Sequence, residues 1–115
     1  MTRKGLLIKH TIDCIERIEE YTDDGKEAFL DDTKTQDAVI RNLEIIGQCI
    51  KDYGVESLKS HIPDTPWEKV AGTRNVLALE YLGVDTELVW EIVEKYLGEL
   101  KDSLKVVADN SYDYQ

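Results

Sequence analysis

The chain is 115 residues long, enough for one domain with a real core and too short for two. Its hydrophobic share of 42% belongs to a folded globular protein, not a disordered one. A formal net charge of −10 excludes a broad nucleic-acid-binding surface, which demands a basic face, so any such site has to be a small local positive pocket.

No apolar run approaches the ~20 residues needed to cross a bilayer. The opening Met1-Thr2-Arg3-Lys4-Gly5-Leu6-Leu7-Ile8-Lys9-His10 is too broken by charge for a secretory leader. The expected location is therefore the cytoplasm, without membrane association. Cys14 and Cys49 lie in apolar helical stripes with no metal-binding or redox spacing between them, and read as free core thiols.

Four segments carry helical periodicity and none carries strand alternation. In the first, Leu7, Thr11, Cys14, Ile18 and Tyr21 recur in alternating steps of four and three, until Asp23-Asp24-Gly25 breaks the pattern. Thr33-x-x-Gln36 reads as a capping box announcing the second helix. Its stripe of Val39, Leu43, Ile46, Ile50 and Tyr53 ends at Gly54. Residues 55–61 read as a short helical turn before Pro63.

Thr65-Pro66-Trp67-Glu68 is the strongest helix start in the chain. Thr65 caps, Pro66 takes the first helical position and Glu68 closes the box. That third helix is expected to stop near Gly83, with Asp85 capping the fourth. The fourth is expected to bury Val89, Val93, Tyr96, Leu100, Leu104 and Val107 along one continuous stripe. The tail, 110–115, has no apolar stripe and reads as frayed. The expected architecture is all-α: an up-and-down four-helix bundle with a short extra helical turn, forming one domain over 1–115. The stripes also allow a helix-mediated homodimer.

Familiar catalytic patterns are absent: no phosphate-binding glycine loop, no nucleophile triad, no cluster of metal ligands. His10 and His61, the latter placed in a loop beside Pro63, read as surface or capping residues. Trp67 and Trp90 read as core anchors rather than base-stacking platforms, and Glu80, Glu87, Glu91 and Glu94 as a solvated face. Arg41 either lends charge to a cleft or pairs with Asp37 or Glu44 at helical spacing.

The informative stretch is Gly72-Thr73-Arg74-Asn75-Val76-Leu77-Ala78-Leu79-Glu80-Tyr81-Leu82-Gly83-Val84-Asp85. It resembles the HepT-like branch of the HEPN superfamily, in which Arg-Asn is followed after three residues by His, then by one residue, Tyr and Gly-Val-Asp. Arg74, Asn75, Tyr81, Gly83, Val84 and Asp85 match in register, and Leu79 occupies the histidine position. The likeness continues through 37–47 in the second helix, through Pro66-Trp67, and through 89–93.

What the resemblance implies is a HEPN-like fold and a metal-independent RNA endonuclease, the toxin of a toxin–antitoxin pair, working as a homodimer with one motif copy from each subunit and with no cofactor. The implied partner is an MNT-type nucleotidyltransferase antitoxin that transfers AMP to Tyr81. In that scheme Arg74 holds the scissile phosphate and stabilises its transition-state charge, and a histidine moves protons. Asn75, polar in a mostly apolar stretch, is read as orienting Arg74 or bonding across the dimer. Small Gly72 and Thr73 leave room for a phosphate to approach. The competing role for Arg74 is a structural ion pair with Glu80 or Asp85; that for Tyr81 is packing at the helix end.

Leucine has no proton to give and no lone pair to accept one, so Leu79 predicts weak or absent cleavage. On an ideal helix Arg74 and Tyr81 fall ~20° apart, whereas position 79 lies ~140° from Arg74. Such a site is better assembled from two chains or at a distorted helix end. The other reading, favoured by Leu79 and the acidic charge, is a non-catalytic helical module that docks a nucleotidyltransferase.

Overall fold

The computed structural model describes residues 1–79 and 83–111, apart from the side chains of 76, 78 and 79. The described residues form seven helices and no strand. In chain order these are α1 (Arg3–Tyr21), α2 (Lys26–Leu30), α3 (Thr33–Tyr53), α4 (Val55–His61), α5 (Trp67–Leu79), α6 (Thr86–Lys95) and α7 (Leu97–Asp109).

α1 follows its apolar spacing except at the ends of the expected stripe, where Leu7 is only half-buried and Tyr21 is 41% exposed. Thr2 caps it by accepting from the Gly5 amide at 3.2 Å, and Ile8, Cys14, Ile15 and Ile18 are fully buried along one face. After the break, Gly25 takes φ +94, a conformation that side-chain-bearing residues rarely adopt, and turns the chain into α2. The sequence pattern does not announce this five-residue helix. Its purpose is to bury Phe29, whose ring lies 5.6 Å from that of Trp90.

The expected Thr33 capping box is shifted by one residue. Asp32 caps α3, accepting from the amides of Lys34 at 3.1 Å and Thr35 at 3.4 Å and from the Thr35 hydroxyl at 2.7 Å. A carboxylate is a charged acceptor at the positive end of a helix and outcompetes a hydroxyl there. Gln36 is diverted instead to the Phe29 and Leu30 carbonyls, each at 3.0 Å, where it satisfies the end of α2.

α3 is the central helix: α1 packs along it on one side and α5 on another. Gly54, at φ +107, ends it and leads straight into α4. His61 is the last residue of that helix, not part of a loop, because the short turn extends a full seven residues. Trp67 is completely buried at the start of α5 and donates from Nε1 to the Ile62 carbonyl at 2.8 Å.

The cap expected of Thr65 and Glu68 is not what those side chains make. The Thr65 hydroxyl pairs with Ser103 Oγ at 2.9 Å, Glu68 is bonded to Lys59, and the α5 ladder begins from the Pro66 carbonyl.

Asp85 caps α6 as expected, accepting from the amides of Glu87 at 3.0 Å and Leu88 at 3.3 Å. The single last helix is replaced by two, α6 and α7, joined at Tyr96 (φ −115°, ψ −27°). The buried positions give the reason: Val89 in α6, then Leu97, Leu100, Leu104 and Val107 in α7. A step of eight from Val89 to Leu97 rotates the apolar stripe by about 80° on a continuous helix. The break lets both segments face the core. Leu97 takes the core place expected of Tyr96, which is 56% exposed, and Val93 is only half-buried. Of the tail, Ser111 is buried; residues 112–115 lie outside the described residues.

Candidate functional site

Arg74 and Asn75 stand in the second half of α5, Arg74 on the flank that packs against α3 and Asn75 exposed beside it. Val70 and Leu77, seven apart, fall on nearly the same helix face and turn inward, Leu77 being buried in the core. Arg74 is rotated about 40° from Val70, which puts it at the border of the buried face. Its stem and its head therefore sit in different environments. The stem lies on α3 at Gly47: a Cβ placed on Gly47 would come within 2.9 Å of Arg74 Cβ, 3.0 Å of the Arg74 amide nitrogen and 3.1 Å of the Val70 carbonyl oxygen. The head is in solvent.

The Arg74 guanidinium donates from Nη1 to Asn75 Oδ1 at 3.3 Å. Among the described residues no carboxylate lies within ion-pair distance of it. Asp85, one of the two expected structural partners, spends its carboxylate capping α6; Glu80, the other, lies outside the described residues. Arg74 and Asn75 thus form an exposed cationic pair with guanidinium donors available to an anion.

Leu79 is the last residue of α5, and its side chain lies outside the description, as does Tyr81 entirely. Arg41, on α3, sits 3.6 Å from Glu44, the ion pair one turn along the same helix, so its charge is largely offset although its side chain is 72% exposed.

Other candidates resolve into structure. Cys14 and Cys49 are free and buried, and burial pushes both thiols up from their usual pKa, which removes the thiolate that reactivity needs. His10 and His61 are exposed. Trp90 packs on Phe29 and donates to Glu94 at 3.1 Å, a packing role like that of buried Trp67. Among the described residues no group of three or more His, Cys, Asp or Glu side chains is placed to hold a metal ion, and no helix is long and apolar enough to cross a membrane.

Two features have no counterpart in the sequence reading. One is the close approach at Gly47, a residue inside the stretch that carries the resemblance, although a glycine in a helix interior is itself a signal of close backbone packing. The other is a groove of about 470 Å³ where α5 faces α6 and α7, floored by Leu43, Ile46, Val70, Leu97 and Leu100. Nothing in a one-helix periodicity could place it.

Comparison with known proteins gives a consistent result. A family model described as Ribonuclease HepT-like matches residues 11–107. A Thermococcus cleftensis protein named a probable ribonuclease HepT is 42% identical over 90 residues, 77% of this chain and 81% of its own. A Methanocaldococcus jannaschii protein, whose name couples gamma-glutamylcyclotransferase with a proposed RNase, is 40% identical over 100 residues, 86% of this chain. This chain spans 45% of that protein's length. Another protein of the same organism, named as a proposed RNase, is 35% identical over 92 residues, covering 78% of this chain and 75% of its own. No solved structure gives a significant match.

Proposed function

The chain belongs to the HepT-like ribonuclease family, and from that premise we propose that it is the toxin component of a toxin–antitoxin pair, a metal-independent RNA endonuclease by descent whose chemistry is impaired at Leu79. The observation that carries this is the exposed Arg74 guanidinium, seated beside Asn75 and without a carboxylate partner among the described residues. A structural arginine at the edge of an acidic protein would be expected to find one of its 24 acidic side chains; an arginine that meets none of the described ones is suited to a phosphate.

In this reading the domain covers 1–115 as a HEPN-like helical bundle. Two copies face each other so that two Arg74 side chains line one cleft, doubling a positive charge that a chain of net charge −10 otherwise lacks. RNA supplies its own nucleophile, the 2′-hydroxyl, so the protein has to hold the phosphate, stabilise its added negative charge and move protons. Arg74 serves the first two tasks and Asn75 orients it. The third belongs to the histidine that Leu79 replaces. Arg41, paired with Glu44, adds little charge to the cleft.

Tyr81 is the acceptor of AMP from an MNT-type nucleotidyltransferase antitoxin in the same reading. A nucleotide placed there, seven residues along the chain from Arg74, adds negative charge and bulk, and so keeps RNA out. The site of action is the cytoplasm.

A second reading is favoured by Leu79 and by the acidic surface: a non-catalytic helical module that docks a nucleotidyltransferase and has no RNA substrate. Binding of RNA to the chain and to Arg74→Ala, at low ionic strength, separates the two. The toxin reading expects binding that weakens when Arg74 is removed; equal binding, or none by either chain, supports the module.

A further inference from the structure

We infer that Gly47 is a positioning residue for Arg74, setting where the guanidinium stands by fixing how closely α5 lies on α3; this rests on the ribonuclease reading above. The geometry is unusually restrictive. The three atoms that a Cβ at Gly47 would meet, at 2.9, 3.0 and 3.1 Å, are Arg74 Cβ, the Arg74 amide nitrogen and the Val70 carbonyl oxygen. None is the end of a flexible side chain. The latter two stand four residues apart on α5, the donor and acceptor spacing of one helical turn. A methyl group there would press on the backbone rung that carries Arg74, and no rotamer change relieves it.

Ordinary contact begins at about 3.4 Å, so an alanine at this position displaces α5 from α3 by about half an ångström. Because Arg74 Cβ is itself at the contact, the displacement is passed directly to the stem of the phosphate-binding side chain. Misplacement on this scale is costly where a charged group has to meet a ligand at a set distance. Two other helical glycines give the contrast. Among the described residues a Cβ at Gly72 or Gly98 meets nothing within 4 Å beyond its own stretch of helix, so no other element holds either to glycine.

The test is a double-mutant cycle on RNA affinity, using the full chain, Gly47→Ala, Arg74→Ala and the double variant, with a fluorescent 2′-O-methyl RNA oligonucleotide at low salt. Gly98→Ala serves as a control for a generic glycine-to-alanine change. Folding of every chain is followed by circular dichroism. Should Gly47→Ala be only partly folded, trimethylamine N-oxide, which favours the compact state, gives a folded population whose affinity can be read.

Arg74→Ala is expected to weaken binding about tenfold or more, the size of one charge-assisted contact. Gly47→Ala is expected to weaken it about three- to tenfold, and the double variant no further than Arg74→Ala alone. That non-additivity is what a purely structural role would not produce. If Arg74→Ala weakens binding while Gly47→Ala does not, or if the two losses simply multiply, the positioning role is overturned and the ribonuclease reading stands. If Arg74→Ala itself changes nothing, both fall.

Discussion

The guanidinium of Arg74 bonds back to Asn75, its immediate neighbour on α5, at 3.3 Å. Adjacent residues on a helix point about 100° apart, so the contact requires the long arginine side chain to fold towards the shorter amide. An uncharged acceptor is well chosen for this. It orients the cation without neutralising it, whereas a carboxylate in the same place would compete with any phosphate.

Replacement of Asn75 by aspartate is therefore expected to be worse than its removal. Asn75→Asp closes an ion pair on Arg74 and should weaken RNA binding more than Asn75→Ala does, with both chains melting close to the parent because residue 75 is exposed. Affinity titrations paired with thermal melts check the order.

Gly72, two residues before Arg74, separates stability from access. Among the described residues an added methyl there meets no atom within 4 Å beyond its own stretch of helix, and alanine is favoured over glycine in a helix interior by about 0.5–1 kcal/mol. Gly72→Ala is expected to raise the melting temperature while weakening RNA binding, if a phosphate enters over this open spot. Thermal melts and binding measured on the same preparation check both signs.

The entry to α5 is secured by Trp67, wholly buried and bonded from Nε1 to the Ile62 carbonyl at 2.8 Å. Trp67→Phe leaves that carbonyl unpaired and a void behind it, and is expected to cost about 2–4 kcal/mol. Urea denaturation measures it; a change within error would mean that α4 and α5 are held by other contacts.

The cap of α3 makes a pH-dependent contribution. Hydrogen bonds, first of all from the Thr35 hydroxyl, hold the Asp32 carboxyl below its usual range in the folded chain. A group whose folded pKa is depressed stabilises above its unfolded pKa and loses that effect as the pH falls through the folded one. Asp32→Ala is expected to lower the melting temperature at neutral pH, with the gap to the parent chain narrowing as the pH drops through and below the carboxylate range. Melts over a pH series follow the gap.

Much of the fold is legible in the sequence, and particular residues show where legibility ends. The face of α1, the short α4 and the Asp85 cap follow from local rules, in which one residue's chemistry answers to its near neighbours. The Thr33 box fails because Asp32, a stronger acceptor, stands one place earlier and Gln36 finds carbonyls on α2. The break at Tyr96 is hidden because a stripe through Tyr96 runs unbroken from Val89 to Val107, whereas the real one shifts by one residue to Leu97; only the neighbouring helices decide which face is buried.

The site is legible in type and not in surroundings. The residues around Arg74 carry the resemblance, yet what holds Arg74 in place is Gly47, on another helix and twenty-seven positions away. No spacing within one helix encodes that distance. The same is true of the groove between α5 and α7, which exists because α5 packs along α3 without closing onto α7.

The central claim is that Arg74 belongs to a ribonuclease site that lacks only its proton carrier. The direct measurement is the rate of cleavage of a defined RNA by the chain, by Leu79→His, and by Leu79→His combined with Arg74→Ala. The account expects Leu79→His to cleave about 10²–10⁴-fold faster than the chain as it stands, and the added Arg74→Ala to abolish most of that gain. A folded Leu79→His chain no faster than its parent would contradict it.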